Sequence, residues 1–266
     1  MVREARLHLS HGATRYLDAG QGWPVVLLHA FPLSADMWRA QLSAAPEGYR
    51  LIAPDLRGFG APGSQPAHTM DEMASGVAEL LDALHIERAV LGGLSMGGYV
   101  MFALLRQQPG RFNALVLADT RATADNDSGR AARTKMLETV RTNGVRAVAD
   151  EMLPKLLGET SRRERPHLLQ EVRALIEPNT VDGVAGAIEA LRSRPDSTGT
   201  LASIDIPTLI ICGEEDTLTP PADSRAMQTR IARSRVVILP RAGHLSNVET
   251  PDMFSAALAD FLIAPL

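Results

Sequence analysis

The sequence predicts an α/β fold in which a mostly parallel, eight-stranded sheet is covered by helices on both faces. Short apolar runs alternate along the chain with longer segments whose apolar residues recur at helical spacing. Continuous apolar runs of strand length are typical of strands that are buried on both faces, as in a parallel sheet. The strand-like segments are 6–10, 14–18, 25–28, 51–54, 89–91, 115–118, 208–212 and 236–239.

The first two segments flank a short turn at 11–13 and therefore predict an edge hairpin. The later segments alternate with helices that have recognisable start signals. Ser34 is predicted to cap a helix from residue 36 to about residue 45. Thr69 or Asp71 is predicted to cap the following helix.

Between residues 121 and 203 the pattern changes, because compact Val/Ile runs disappear and only helical periodicity remains. We predict a helical cap insertion over 121–203, carried by a core domain formed from 1–120 and 204–266. The helical segments are 129–142, 145–157, 161–176 and 181–193. The arginines of this region, which we expect on solvated helix faces, are at positions 130, 133, 141, 146, 162, 163, 165 and 173.

Length and composition exclude several classes of protein. The 266 residues allow one large domain with an insertion, or two small domains. A net charge of −4 provides no basic field for nucleic acid or an anionic membrane. The single cysteine, Cys212, excludes an internal disulfide framework. Because the sequence shows neither a signal-peptide core nor an apolar run of about 18 residues, we expect a cytoplasmic enzyme.

The most informative motif is Gly93-x-Ser95-x-Gly97, which lies between the apolar run at 89–91 and an apolar helical segment. This is the nucleophile-elbow pattern, in which a serine occupies a tight strand-to-helix turn and its close neighbours must lack side chains. A serine that merely caps a helix is an alternative interpretation. A dinucleotide-binding turn agrees less well with the sequence, because the glycines here do not follow Gly-x-Gly-x-x-Gly spacing.

Two further residues complete a possible catalytic set. Asp216 follows the strand at 208–212, and His244 follows the last strand. The carboxyl ends of parallel strands meet at one edge of a sheet, so both side chains can converge on Ser95. The order Ser, Asp, His is that of α/β-hydrolase triads. Asp119, Glu214 and Glu215 are alternative candidates for the acid of the triad. We favour Asp216, because the flanking Gly213 and Pro220 indicate a defined turn around it.

The chemistry explains why these residue types are needed. A serine hydroxyl is a weak nucleophile, so an imidazole must accept its proton; His244 would do this while Asp216 fixes the imidazole tautomer. The tetrahedral oxyanion needs two donors, for which we predict the backbone N–H groups of Met96 and Phe31. The residues expected in the substrate pocket are Trp38, His29 and Leu245, and His29 is also expected to have a structural role.

With these motifs the sequence resembles the α/β-hydrolase superfamily, in the branch of 3-oxoadipate enol-lactone hydrolases and related small carboxylesterases. The matching stretches are 28–32, 55–60, 93–98, 213–216 and 243–244. The resemblance implies neither a metal nor an organic cofactor. One departure is that His29-Ala30 stands where the family usually has His-Gly.

The resulting expectation is a serine hydrolase that cleaves carboxylic esters of small or medium acyl substrates through an acyl-enzyme. One alternative is an enol-lactone hydrolase of aromatic degradation, whose anionic substrate would need a cationic pocket residue, such as a cap arginine. Another is a ligand-binding protein that keeps the fold without turnover. We expect a small ester or lactone as partner, and neither nucleic acid nor membrane. Thioester or carbon–carbon bond hydrolysis and perhydrolysis also remain open, and the sequence does not indicate the oligomeric state.

Overall fold

Within residues 1–60 and 63–264, which the computed structural model describes, eight strands form one sheet. They lie in the order β1-β2-β4-β3-β5-β6-β7-β8. The strands are β1 (Arg3–Leu9), β2 (Gly12–Gly20), β3 (Trp23–Leu28), β4 (Tyr49–Pro54), β5 (Ala89–Leu94), β6 (Phe112–Ala118), β7 (Thr208–Gly213) and β8 (Ser234–Leu239).

The sheet is parallel from β4 through β8, and only β2 pairs antiparallel with its neighbours β1 and β4. Strands β5 and β7 are buried along their whole length, as their continuous apolar sequences require. The mostly parallel, eight-stranded sheet predicted from the sequence is therefore confirmed.

Helices connect the strands and fill the segment between β6 and β7. The helices are α1 (Arg39–Ser43), α2 (Met70–Ala83), α3 (Met96–Gln107), α4 (Asp127–Leu156), α5 (Glu159–Glu164), α6 (His167–Ile176), α7 (Val181–Ser193), α8 (Thr198–Leu201), α9 (Pro221–Gln228), α10 (Ser246–Glu249) and α11 (Pro251–Ile263). A short 3₁₀ turn at Ala35–Trp38 precedes α1.

The predicted segment 121–203 is helical in the structure, and the predicted division at Gly144 is confirmed, whereas a division at Pro166 was not predicted. The two helices expected at 129–142 and 145–157 are the two parts of α4, which meet at Gly144, where a φ of 79° and a ψ of −179° are not helical. The helix expected at 161–176 is instead two helices, α5 and α6, separated at Pro166. Proline lacks a backbone N–H and so interrupts a helix. Helices α4 and α7 pack against each other.

One predicted helix cap is confirmed and one is wrong. The Thr69 hydroxyl accepts a hydrogen bond from the Glu72 N–H at 3.1 Å and begins α2. Ser34 makes no side-chain cap bond. Instead, the N–H of the next residue, Ala35, donates to the buried Asp55 carboxylate at 2.8 Å, which satisfies this end of the 3₁₀ turn.

The carboxyl ends of the neighbouring parallel strands β5, β6, β7 and β8 lie at one edge of the sheet, and residues of α4 and α7 line a cavity there together with Ser95 and His244. This edge positions the candidate site described below. Residues 265 and 266, the last two of the predicted core domain, lie outside the described residues. Among the described helices, none combines the length and the apolarity needed to cross a bilayer.

Candidate active site

Ser95 occupies a strained turn between β5 and α3, with φ 53° and ψ −111°. Non-glycine residues rarely adopt positive φ, and such strain is concentrated at functional sites. The flanking glycines are required by close packing. A Cβ at Gly93 would lie 2.5 Å from the carbonyl carbon of Gly97, and a Cβ at Gly97 would lie 2.3 Å from the Leu28 carbonyl oxygen. The motif therefore forms the sharp turn that its spacing predicts.

The three residues predicted to cooperate are in hydrogen-bond contact. The Ser95 hydroxyl oxygen lies 2.8 Å from His244 Nε2, and His244 Nδ1 lies 2.8 Å from Asp216 Oδ2. His244 and Asp216 are both buried, whereas Ser95 is partly exposed at the cavity described below. The three side chains therefore form a continuous hydrogen-bonded chain from Ser95 through His244 to Asp216.

Asp216 is held as an acceptor by its own turn. Its Oδ1 accepts hydrogen bonds from the N–H groups of Leu218 at 2.8 Å and Thr219 at 3.0 Å. The Thr219 hydroxyl donates to Oδ2 at 2.7 Å. Burial opposes ionisation of this carboxyl, but His244 and the two Thr219 donors outweigh burial and lower its pKa below the ordinary value. Thr219 was not singled out from the sequence, although its position three residues after an acid is typical of such a turn.

The rival acids have other partners. Asp119 is fully buried; its Oδ1 accepts from the Gly213 N–H at 2.8 Å and its Oδ2 from the Ser246 hydroxyl at 2.5 Å. Burial, together with the negative charge of Asp216, raises the pKa of Asp119 well above its ordinary value. Glu215 accepts from both the N–H and the hydroxyl of Thr160. The geometry therefore favours Asp216 as the partner of His244.

Asp119, Cys212 and Asp216 also form a cluster whose potential metal-ligand atoms lie within 4.8 Å of one another. The two carboxylates are already hydrogen-bonded as described. Burial raises the pKa of the Cys212 thiol, which disfavours the thiolate that a metal would require. This donor set fits a packed core under the triad better than it fits a metal centre.

Two backbone N–H groups are available beside Ser95. Met96 is the first residue of α3, where helix amides have no partner within the helix. Phe31 follows β3 and lines the same cavity as Ser95 and His244. Within the described residues neither N–H donates a hydrogen bond to another protein group. Both are therefore free to bind an oxygen atom.

The three residues expected in the substrate pocket lie outside the cavity lining, and this expectation is wrong. His29 is fully buried; its Nε2 accepts from the Leu56 N–H at 2.9 Å, and its Nδ1 lies 2.9 Å from the Ala30 carbonyl oxygen. Burial lowers the pKa of His29. Trp38 and Leu245 are also buried, Trp38 against Phe254 at a ring-centroid distance of 5.7 Å. These side chains belong to the packed interior, which agrees with the structural role expected for His29.

A cavity of about 190 Å³ opens onto Ser95 and His244. This volume is below the roughly 300–1,000 Å³ typical of drug-sized ligands, so it suits a small molecule. Much of its wall comes from one face of α4, at residues 129, 132, 133 and 136, and further residues come from α7 and the strand ends. Arg133 is thus in the cavity wall and not on the solvated face that we predicted.

Three guanidinium groups surround one buried carboxylate in this wall. Asp125 accepts from Arg121 at 2.8 Å, from Arg194 at 2.7 Å and from Arg133 at 3.2 Å. Arg194 also lies over the ring of Tyr99, 4.0 Å from its centroid. Burial opposes the charge on Asp125, but Arg133 and Arg194 outweigh burial and lower its pKa. No specific sequence signal marks this cluster of charged residues.

Another buried carboxylate connects the loop of His244 to the helical segment. Glu249 Oε1 accepts from the Gly243 N–H at 2.9 Å, and Oε2 accepts from the Gly158 N–H at 2.8 Å. The Arg165 guanidinium donates to the Glu249 carbonyl at 2.6 Å. The histidine loop and the residues between α4 and α5 are therefore held together beside the triad.

The parallel sheet, the serine turn and the residues around it define a hydrolase of the α/β class. The chain belongs to the alpha/beta hydrolase fold family, whose sequence profile matches residues 24–251. This is the family that the sequence motifs around Ser95, Asp216 and His244 resemble.

The similar proteins include esterases and enol-lactonases. A 3-oxoadipate enol-lactonase of Acinetobacter baylyi is 30% identical over 238 residues, covering 90% of this chain and 88% of that protein. A thermophilic esterase from Thermogutta terrifontis, solved with malate bound, is 37% identical with a TM-score of 0.92 and 98% coverage of both chains. An enol-lactonase from Burkholderia xenovorans is 29% identical with a TM-score of 0.88, covering 97% of this chain and 99% of that one.

Proposed function

We propose that this protein is a serine hydrolase that cleaves carboxylic esters of small or medium acyl substrates through an acyl-enzyme. The observation that carries the proposal is the continuous contact from the Ser95 hydroxyl through His244 to Asp216, with 2.8 Å at each step. Membership in a hydrolase family with esterase and enol-lactonase relatives supports it.

The first half of the reaction forms the acyl-enzyme. His244 Nε2 accepts the Ser95 proton as the serine oxygen attacks the ester carbonyl carbon. The negative charge that develops on the carbonyl oxygen is bound by the N–H groups of Phe31 and Met96, with the positive end of the α3 dipole behind Met96. The imidazolium is stabilised by Asp216 and then gives its proton to the departing alcohol.

In the second half of the reaction, water is the nucleophile and Ser95 is the leaving group. His244 accepts a proton from water, the hydroxide attacks the acyl carbon, and the same two N–H groups bind the second oxyanion. Ser95 then leaves with the proton from His244, and the carboxylic acid is released. The segment 121–203 acts in this proposal as a cap, because it supplies much of the wall that surrounds the acyl group.

Enol-lactone hydrolysis is the second candidate, because a lactone is an internal ester that opens by the same steps. Relatives named 3-oxoadipate enol-lactonase, at 30% identity, favour it. A ligand-binding protein without turnover is less consistent with a complete hydrogen-bonded triad.

The test compares hydrolysis of p-nitrophenyl acetate and butyrate by the wild type and by Ser95→Ala. We expect turnover by the wild type and a loss of at least about 10³-fold in kcat in the variant, since no nucleophile remains. Circular dichroism of both proteins controls for folding. Wild-type protein without turnover on any ester or lactone would favour a binding protein, and full activity in Ser95→Ala would exclude Ser95 as nucleophile.

A further inference from the structure

We propose that Thr219 is a positioning residue of the triad, whose hydroxyl fixes the Asp216 carboxylate and limits how strongly that carboxylate stabilises protonated His244. The hydroxyl thereby sets the lower end of the pH range over which His244 accepts the Ser95 proton. This inference rests on the proposed function and adds to its mechanism a residue that acts through Asp216.

Thr219 binds both oxygens of the Asp216 carboxylate. Its N–H donates to Oδ1 at 3.0 Å, and its hydroxyl donates to Oδ2 at 2.7 Å. The Leu218 N–H adds a second hydrogen bond to Oδ1 at 2.8 Å. Thr219 is only 2% exposed and its side chain is β-branched, so the hydroxyl has few alternative positions. The carboxylate is therefore held in the orientation that presents Oδ2 to His244.

The Thr219 hydroxyl has one hydrogen, and its surroundings indicate where that hydrogen points. The hydroxyl oxygen lies 2.7 Å from Asp216 Oδ2 and 3.3 Å from His244 Nδ1. The carboxylate is charged and closer, so it is the stronger acceptor and takes the hydrogen. The hydroxyl oxygen then faces Nδ1 with lone pairs only. Two acceptors beside Nδ1 favour the tautomer with hydrogen on Nδ1, which leaves Nε2 free to accept the Ser95 proton.

The same hydroxyl reduces the negative charge that the carboxylate offers to the imidazole. Asp216 Oδ2 accepts hydrogen bonds from both the Thr219 hydroxyl and His244 Nδ1. Burial opposes ionisation of Asp216, but His244 and Thr219 outweigh burial and lower the pKa of its carboxyl. A less basic carboxylate stabilises the imidazolium less. His244 therefore stays neutral, and able to act as a base, down to a lower pH than it would without this hydroxyl.

Other ionisable side chains surround the pair, but none of them contacts the Thr219 hydroxyl among the described residues. Those near Asp216 are Asp119, Cys212, Asp223 and Glu249, and burial raises the pKa of each. The charged residues in the wall of the cavity that opens onto His244 are Arg121, Asp125, Arg133, Glu151 and Lys155. A replacement at Thr219 keeps all of these groups, so their charges act on both proteins that are compared below.

The first experiment compares the wild type with Thr219→Val, which keeps the branched shape and removes the hydroxyl. The value of kcat/KM for p-nitrophenyl acetate is measured across the pH range, because its acid limb reports protonation of the essential base in the free enzyme. We expect the midpoint of this limb to rise by about half a pH unit or more in Thr219→Val, since a charge-assisted hydrogen bond to the carboxylate is lost. A midpoint that is unchanged or lower would overturn the inference. Turnover by the wild type that is abolished in Ser95→Ala would show that the proposed function stands even so.

Two further variants separate the hydroxyl from packing. Thr219→Ser keeps the hydroxyl and should keep the wild-type midpoint. The matched control is Thr208→Val, which removes a buried hydroxyl at the opposite end of β7, where it donates to the Ile206 carbonyl at 3.0 Å. This control should also keep the wild-type midpoint. Thr219→Ser or Thr208→Val with the same shift as Thr219→Val would contradict a role for the Thr219 hydroxyl.

A measurement on the wild type alone covers the case in which Thr219→Val does not fold. NMR of protein labelled at threonine and histidine detects hydroxyl protons that are held in hydrogen bonds and exchange slowly with water. At a pH above the acid-limb midpoint, we expect the Thr219 hydroxyl proton to be observed, with a nuclear Overhauser effect to the proton on His244 Nδ1. A Thr219 hydroxyl proton that exchanges freely with water would overturn the inference.

Discussion

The replacement Asp216→Asn tests the orienting acid with the smallest possible change. In the structure one carboxylate oxygen faces His244 Nδ1 at 2.8 Å, and the other accepts from the N–H groups of Leu218 and Thr219. Asparagine must keep its oxygen towards these two donors, so its NH₂ group faces His244. Because the NH₂ group donates a hydrogen bond, the imidazole nitrogen Nδ1 must accept it, and the hydrogen of the neutral ring is then on Nε2. In this tautomer Nε2 cannot accept the Ser95 proton.

The size of the effect follows from this change of tautomer and from the loss of the charge that stabilises the imidazolium. The same replacement in a serine-protease triad lowers kcat about 10⁴-fold, which corresponds to about 5.4 kcal/mol of activation free energy. We expect a similar loss here, because Asp216 is buried and no other acid contacts His244 among the described residues.

The assay is kcat for p-nitrophenyl acetate, with Asp119→Asn as the matched control. Asp119 lies beside Asp216 and is equally an aspartate after a strand, but its oxygens bind Gly213 and Ser246. We expect this control to lose less than about tenfold in kcat. A larger loss in Asp119→Asn than in Asp216→Asn would refute the reasoning and make Asp119 the functional acid.

Three further predictions concern packing, the loop of His244 and pH. Gly97→Ala should unfold the protein or destabilise it by several kcal/mol in urea denaturation, because its Cβ would lie 2.3 Å from the Leu28 carbonyl oxygen; wild-type stability would contradict the packing. Glu249→Gln should reduce both kcat and the free energy of unfolding, the latter by about 1–3 kcal/mol, because one N–H of Gly158 or Gly243 loses its acceptor; stability loss without any change in kcat would exclude a positioning role. Burial raises the pKa of Asp119 above its ordinary value of 3.8, so the unfolded chain releases this proton first, and the stability of the wild type relative to Asp119→Asn should fall as pH rises above about 3.8. Urea denaturation of both proteins across the pH range checks this, and a difference that is constant or grows with pH would contradict it.

The sheet and the triad could be predicted because they depend on local sequence signals and one topological rule. The apolar runs mark the buried strands, and residues that follow parallel strands meet at one edge of the sheet. Ser95, Asp216 and His244 are far apart in the chain, yet this rule alone places them together. Choosing Asp216 over Asp119 needed only the shape of the following turn.

The cavity could not be predicted, because its wall depends on how α4 packs over the strand ends. The α4 residues in the wall are Gly129, Ala132, Arg133 and Met136. They recur at helical spacing, but their mixed chemistry does not mark them as one buried face. Helical periodicity identifies an apolar stripe and not a face that is turned towards a ligand. Apolar character does not distinguish pocket from core either, since Trp38 and Leu245 are expected in the pocket and both side chains belong to the packed core.

The sequence pattern indicates one helix boundary between β6 and β7 and misses another. Gly144 separates the two helices predicted at 129–142 and 145–157, because its φ of 79° and ψ of −179° are not helical. At Pro166 the chain does break, where the pattern predicted continuity. Apolar periodicity extends across Pro166, but proline lacks the backbone N–H that a continuous helix would need there.

Chemical trapping of the acyl-enzyme tests the central claim most directly. Wild-type protein mixed with p-nitrophenyl acetate and quenched in acid during turnover should carry one acetyl group, which peptide mass spectrometry should place on Ser95; the variant Ser95→Ala should carry none there. An acetyl group located on another residue during turnover, or turnover by the wild type without any acylated peptide under single-turnover conditions, would contradict the account.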